Sequence, residues 1–128
     1  MPRKRKIYTP DAPTPAAPYS QAMEANGFIF VTGQVSRDPH SGEFVDGLFG
    51  DQLHLCIKNL EAILAAGGCG LNDIVKLTIF MTSHDDLDEM NAILRQYFPT
   101  DPPARSSFGV GFLWKKCKVM VEAIAATK

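Results

Sequence analysis

The period of the apolar positions changes several times along the 128 residues, and each change predicts an element. After a proline- and alanine-rich lead-in at residues 10–18, alternating apolar and polar positions at 21–24 and 28–32 predict two short strands. Asn26-Gly27 between them has the composition of a two-residue hairpin turn, which needs positive φ at both central positions. Asp38-Pro39 through Gly42 predicts a loop. From 51 to 66 the period becomes helical: Leu53, Ile57, Leu60 and Leu64 form one apolar stripe, and Gly67-Gly68 supplies the stop. Residues 74–81, rich in β-branched and aromatic side chains, predict a central strand. Ser83 opens a second helix with Asp86 as its capping-box partner. Leu87, Met90, Leu94 and Tyr97 are the buried stripe of that helix, and Pro99 ends it. Residues 104–112 and 118–126 predict a closing pair of strands joined by a turn at Trp114-Lys115-Lys116.

The resulting order, β-β-α-β-α-β-β, describes one α+β domain over residues 11–128, preceded by a basic tail or first strand at 1–10. Two helices cover only one face of such a sheet. In the last strand Val119, Val121, Ala123 and Ala125 form one face, and their alternates are also largely apolar. A lone subunit would leave one set wet, so the pattern predicts a partner sheet and a homo-oligomer.

A hydrophobic content of 45% with 21% charged residues is an ordinary globular balance, without the signature of disorder. The net charge of −1 argues against a dedicated nucleic-acid binder. The exception is the run Arg3 to Lys6, expected to be solvated; the rest of the chain is acidic. No apolar stretch follows that run and no window reaches the roughly 18 apolar residues of a membrane span, so neither a secretory signal nor a membrane segment is predicted. Cys56, Cys69 and Cys117 are odd in number and lack a C-x-x-C, which predicts a reducing, cytoplasmic setting. His40, His54 and His84 make no ligand pair, so neither a metal nor another cofactor is expected.

Among the polar residues Arg105 stands out, because its strand otherwise carries small or apolar side chains. A guanidinium is a planar, permanent charge that grips a carboxylate through two parallel hydrogen bonds. Ser107 shares its face by strand alternation. A hairpin centred on Trp114 would bring Glu122 to the same side, either as an ordinary ion pair or as a site. Tyr19, Thr32, Gly33 and Asn91 are further polar or small residues at places where a core prefers apolar ones. Nothing predicts covalent catalysis, since no G-x-S-x-G, P-loop or G-x-G-x-x-G is present.

Taken in order, Pro18-Tyr19-Ser20, Val31-Thr32-Gly33-Gln34, Asn59-Leu60-Glu61-Ala62-Ile63-Leu64, Asp73-Ile74-Val75-Lys76, Met90-Asn91, Pro103-Ala104-Arg105-Ser106 and Val121-Glu122-Ala123-Ile124-Ala125 resemble the Rid/YjgF family (RidA-like, also labelled L-PSP) over nearly the whole chain. The resemblance implies a chorismate-mutase-like fold, a mixed sheet with two helices on one face, assembled as a trimeric barrel with ligand clefts between subunits. It also implies a metal-free hydrolase, an enamine/imine deaminase acting on 2-iminobutanoate- or 2-iminopropanoate-type intermediates. The products would be a 2-keto acid and ammonia. Arg105 matches the position that holds the substrate carboxylate, and Tyr19, Thr32 and Asn91 match positions lining the cleft. Three positions depart from the family pattern: Met120 replaces a glutamate credited with positioning water, Ser107 a common cysteine, and Trp114 a common proline. Met120 would prefer a bulkier or more apolar substrate, and Glu122 shares its strand face. The alternatives are a non-catalytic binder of small 2-keto acids, which Met120 favours, and an L-PSP-type endoribonuclease or translation inhibitor, which only the basic run favours.

Overall fold

The computed structural model describes residues 3–128. Eight elements follow one another: β1 (Arg5–Ile7), β2 (Ala22–Ala25), β3 (Phe28–Gln34), α1 (Phe49–Ala66), β4 (Ile74–Met81), α2 (Leu87–Tyr97), β5 (Ala104–Gly109) and β6 (Val119–Ala126). The strands form one mixed sheet in the order β1-β2-β3-β6-β4-β5. Asn26 and Gly27 both take positive φ, as a hairpin turn between β2 and β3 requires. Part of the basic run is sheet edge, and Arg3 to Lys6 are all exposed to solvent as expected. Arg5 pairs with Glu24 in register, and their side chains form an ion pair.

α1 begins before residue 51 because Phe49 and Gly50 are themselves buried. The apolar stripe of α1 widens to include Cys56 and Ile63. Its end is a Schellman arrangement: Gly68 at φ +80° donates to Ala65 O, and Cys69 N donates to Leu64 O. Before α2 the chain departs from the expected capping box. Ser83 Oγ accepts from Asp85 N, and a 3-10 turn at His84–Asp86 comes before the helix proper. Met90, Ile93 and Leu94 are the buried residues of α2, with Leu87 and Tyr97 packed at the margin.

The larger departure concerns the last two strands, which do not form a hairpin. α2 is a crossover that returns β5 parallel to β4, with Arg105 opposite Leu77. The chain then passes over the end of β4, where Val110 N donates to Met81 O and Thr82 N donates to Lys118 O. β6 runs back antiparallel on the other side of β4 and beside β3. β5 is also shorter than expected, ending at Gly109.

Both helices pack on one face of the sheet, over Ile29, Val31, Leu77, Ile79, Val119, Val121, Ala123 and Ala125. The alternating positions lie on the other face, which no element among the described residues covers. Phe28, Phe30 and Phe108 there are 41%, 46% and 53% exposed, and Met120, Ile124, Thr78 and Phe80 are half-buried.

Candidate functional site

Arg105 sits on the edge strand β5, directly after Pro102-Pro103, which cannot donate backbone hydrogen bonds. Its register partner Leu77 points into the core, so the Arg105 side chain leaves the sheet on the helix side. α2 stops short of covering it. The result is an open cleft of ≈ 390 Å³ lined by Asn91, Leu94 and Arg95 of α2, by Phe98, Pro102 and Pro103, and by Leu77 and Arg105. Asn91 and Arg95 lie one helical turn apart and so present to the same space. Two guanidinium-bearing residues and one amide, set in apolar walls without a carboxylate, suit a small organic anion. Among the described residues the one ion pair is that of Arg5 with Glu24, so the Arg105 guanidinium lines the cleft without a carboxylate partner.

Of the expected site residues, the structure brings Asn91 and Arg105 together here. Ser107 shares the helix-side face with Arg105, but its hydroxyl rests 3.9 Å from Met90 Sδ in a neighbouring hollow lined also by His84 and Phe108.

Glu122 does not join them. It pairs with Thr78 of β4, and Thr78 pairs on its other side with Ser106, so Glu122 belongs to the uncovered face. A strand therefore separates Glu122 from β5, and the two side chains point to opposite sides of the sheet. The hairpin expected from adjacency in sequence is the origin of the discrepancy. Around Glu122 lie Phe30, Lys76, Thr78 and Ile124 in a hollow of ≈ 150 Å³. Lys76 Nζ donates to Ser106 Oγ at 2.9 Å.

Tyr19 and Thr32 meet at a third place, a hollow of ≈ 450 Å³ shared with Ser20, Met23 and Phe30. Thr32 is held firmly, its N donating to Gln21 O at 2.9 Å and its Oγ1 donating to Ser20 O at 2.6 Å. The next residue, Gly33, lies in a register irregularity of β3 between Val31 and Gln34. Met120 rests on it: a Cβ at Gly33 would lie 2.6 Å from Met120 Sδ. From β3 to β5 is three strand spacings, roughly 14 Å, and the two groups look out from opposite faces. A ligand of a few atoms cannot touch Arg105 and Gly33 in one chain.

Arg95, Phe98 and the two prolines are cleft residues that the sequence reading passes over. The available signal for Arg95 was its position four residues after Asn91 on an amphipathic helix.

The remaining chemistry-bearing groups are quiet. Burial raises the Cys56 thiol, with the neighbouring Cys117 adding to the effect, and burial likewise raises Cys69 and Cys117. These thiols are neutral at physiological pH and make poor nucleophiles. Tyr97, raised by burial and then by Glu61, is bound to His54 Nδ1 at 2.6 Å between the two helices. Among the described residues no group of three or more His, Cys, Asp or Glu side chains converges as a metal site would, and no helix is long and apolar enough to cross a membrane.

Comparison with known proteins accounts for the whole domain. The family profile described as Endoribonuclease L-PSP matches residues 9–127. A RutC family protein of Pyrococcus horikoshii is 41% identical over 122 residues, covering 95% of this chain and 97% of its own. The human 2-iminobutanoate/2-iminopropanoate deaminase is 36% identical over 122 residues, covering 95% of this chain and 89% of its own. The crystal structure of E. coli TdcF with bound serine superposes with a TM-score of 0.90 at 33% identity, covering 97% of this chain and 99% of that one. With a matching profile, full-length relatives and a shared fold, the chain belongs to the Rid/YjgF family, the Endoribonuclease L-PSP family of that profile.

Proposed function

We propose that this protein is an imine deaminase, hydrolysing small 2-imino acids of the 2-iminobutanoate and 2-iminopropanoate type to 2-keto acid and ammonia. The carrying observation is the unpaired Arg105 guanidinium, open to a cleft that also presents the Asn91 amide. Relatives named for this activity, one of them human at 36% identity, support the reading. So does the serine in the TdcF neighbour, a small molecule with the carboxylate that Arg105 would grip.

The site is completed by a second copy. The apolar uncovered face supports packing of three sheets into a homotrimeric barrel, and the division of site residues into two groups has a use in that assembly. Arg105, Asn91 and Ser107 of one copy would meet Tyr19, Thr32, Gly33, Met120 and Glu122 of its neighbour across the seam.

Arg105 fixes the carboxylate, and Asn91 and Tyr19 offer hydrogen bonds to the rest of the ligand. An enamine reaches the reactive form by taking a proton on carbon. Water then adds to the electrophilic iminium carbon, the carbon–nitrogen bond breaks, and ammonium leaves as the carbonyl forms. A protonated imine needs orientation and a placed water more than it needs a strong catalyst. Met120 cannot move a proton, so the water-orienting role falls to Glu122, one strand repeat (about 6.6 Å) along the same face. Ammonia release from imines generated in situ by an amino-acid oxidase tests the reading. The rate should exceed the free-solution background and fall to it in Arg105→Ala.

Met120 favours one second reading, a protein that binds short 2-keto acids without turning them over. Thermal stabilisation by 2-oxobutanoate with no accelerated ammonia release would select it.

A further inference from the structure

Met120 and Gly33 are a matched pair. A Cβ at Gly33 would lie 2.6 Å from Met120 Sδ, 2.9 Å from Cγ and 3.1 Å from Cε, so the thioether lies directly on the β3 backbone and any side chain at residue 33 would have to displace it. The strand register extends this contact. Met120 stands opposite Phe80, Phe80 stands opposite Phe108, and the two rings stack at 6.0 Å. Gly33, Met120, Phe80 and Phe108 thus make one apolar row across four strands of the uncovered face. The next row is polar, with Glu122, Thr78 and Ser106 in register and Lys76 bonded to Ser106. An apolar lane beside a polar lane separates two tasks: one can receive a hydrocarbon chain, the other the water and the leaving nitrogen.

We propose that Met120, seated on Gly33, is the specificity-determining residue of the site. It selects 2-imino and 2-keto acids with an extended unbranched or thioether side chain, the class derived from norvaline and methionine, over acids whose whole side chain is one methyl. The inference rests on the deaminase reading for the presence of a carboxylate-anchored ligand, and adds which side chain that ligand carries. A thioether is polarisable, flexible and uncharged, so it makes contact along an alkyl chain without leaving a charge stripped of water. Each methylene laid on such a lane improves binding about four-fold.

The test is calorimetric titration of the intact protein with pyruvate, 2-oxobutanoate, 2-oxopentanoate and 4-methylthio-2-oxobutanoate. In the wild type the affinity should climb about four-fold per methylene. Met120→Glu should flatten or reverse that series. Gly33→Ala pushes the thioether off its seat into the ligand space and should move the optimum toward the shorter acids. Met120→Leu should keep the wild-type order and guards against a variant that fails to fold. A merely structural role would weaken all four acids by the same factor. A flat wild-type series with pyruvate still bound overturns the assignment of Met120 and leaves the deaminase reading standing. Binding of none of the four overturns both.

Discussion

Gln21 is a buried amide on which the proline-rich lead-in hangs, and its removal has a calculable cost. The residue is 2% exposed. Its Oε1 accepts from Thr9 N at 2.8 Å, and its Nε2 donates to the carbonyls of Thr9, Pro13 and Ala12 at 3.0, 3.1 and 3.3 Å. Gln21→Leu keeps the volume and deletes every one of these bonds. The Thr9 N–H and at least two carbonyls then need new partners, and each buried group left unpaired costs about 1–3 kcal/mol. The total does not grow without limit, because residues 9–13 can detach and take water instead. We therefore expect a loss of about 2–4 kcal/mol. With a urea dependence of roughly 2 kcal/mol per molar, the unfolding midpoint should drop by about 1–2 M, compared at equal protein concentration so that any assembly of copies contributes equally. Tyr19, two residues away and carried by the same segment, should lose its placement, so ligand affinity falls in parallel. Tyr19→Phe, which removes only an exposed hydroxyl, should leave the midpoint where it was. A Gln21→Leu midpoint within ~0.3 M of wild type, a loss of only about 0.6 kcal/mol at that urea dependence, would refute the reasoning.

Arg105→Ala should reduce kcat/KM on 2-imino acids by roughly 10²–10³, the scale of a lost charge-assisted bidentate contact, with Arg105→Lys intermediate; the unfolding midpoint should stay put because the side chain is exposed. Phe30→Asp or Phe108→Asp places a charge on the uncovered apolar face, and sedimentation should then report smaller species than wild type; an unchanged mass would deny that this face joins the copies. Cys56, Cys69 and Cys117 are all buried with raised thiols, so native protein at pH 8 should react slowly with a disulfide reagent and yield its three thiols only in denaturant, whereas rapid labelling of folded protein would contradict the burial. Asp38 accepts from Ser41 N at 2.8 Å and His40 N at 2.9 Å, which holds its carboxyl below the ordinary 3.8. Its contribution to the loop is thus complete above that value and is lost as pH falls through the lowered one; carbon-detected NMR titration of Asp38 should show the depressed midpoint.

How much could be read from the residues depends on the range of the interaction behind each feature. The strand at 74–81 coincides with Ile74–Met81 because its composition and its flanking breakers are local. The positive φ of Asn26 and Gly27 is local for the same reason. The pairing of β4 with β5 is not, because it depends on the length and landing point of α2, and nothing within residues 104–126 announces that β4 will lie between the last two strands. That single non-local fact separates Arg105 from Glu122. Asn91 beside Arg105 is equally invisible in sequence, since helix and strand are docked by core residues such as Met90, Ile93 and Ile79 rather than by the polar cleft residues themselves. The basic run illustrates a competing effect: charge suggests a solvated segment, yet Arg5 finds Glu24 across a two-strand ladder and the edge forms anyway.

The last strand made is the middle of the sheet. β6 separates β3 from β4, and neither of them touches the other through the ladder. Before β6 is in place, the hairpin of β2 and β3 and the pair of β4 with β5 would each keep an unfilled edge. Closing the sheet therefore needs the non-local pairing of β6 with both β3 and β4, a topology that leaves adhesive strand edges wherever β6 is missing. Deleting Val119–Ala126 alone would leave two half-sheets tethered by α1 rather than a slightly smaller version of the same sheet.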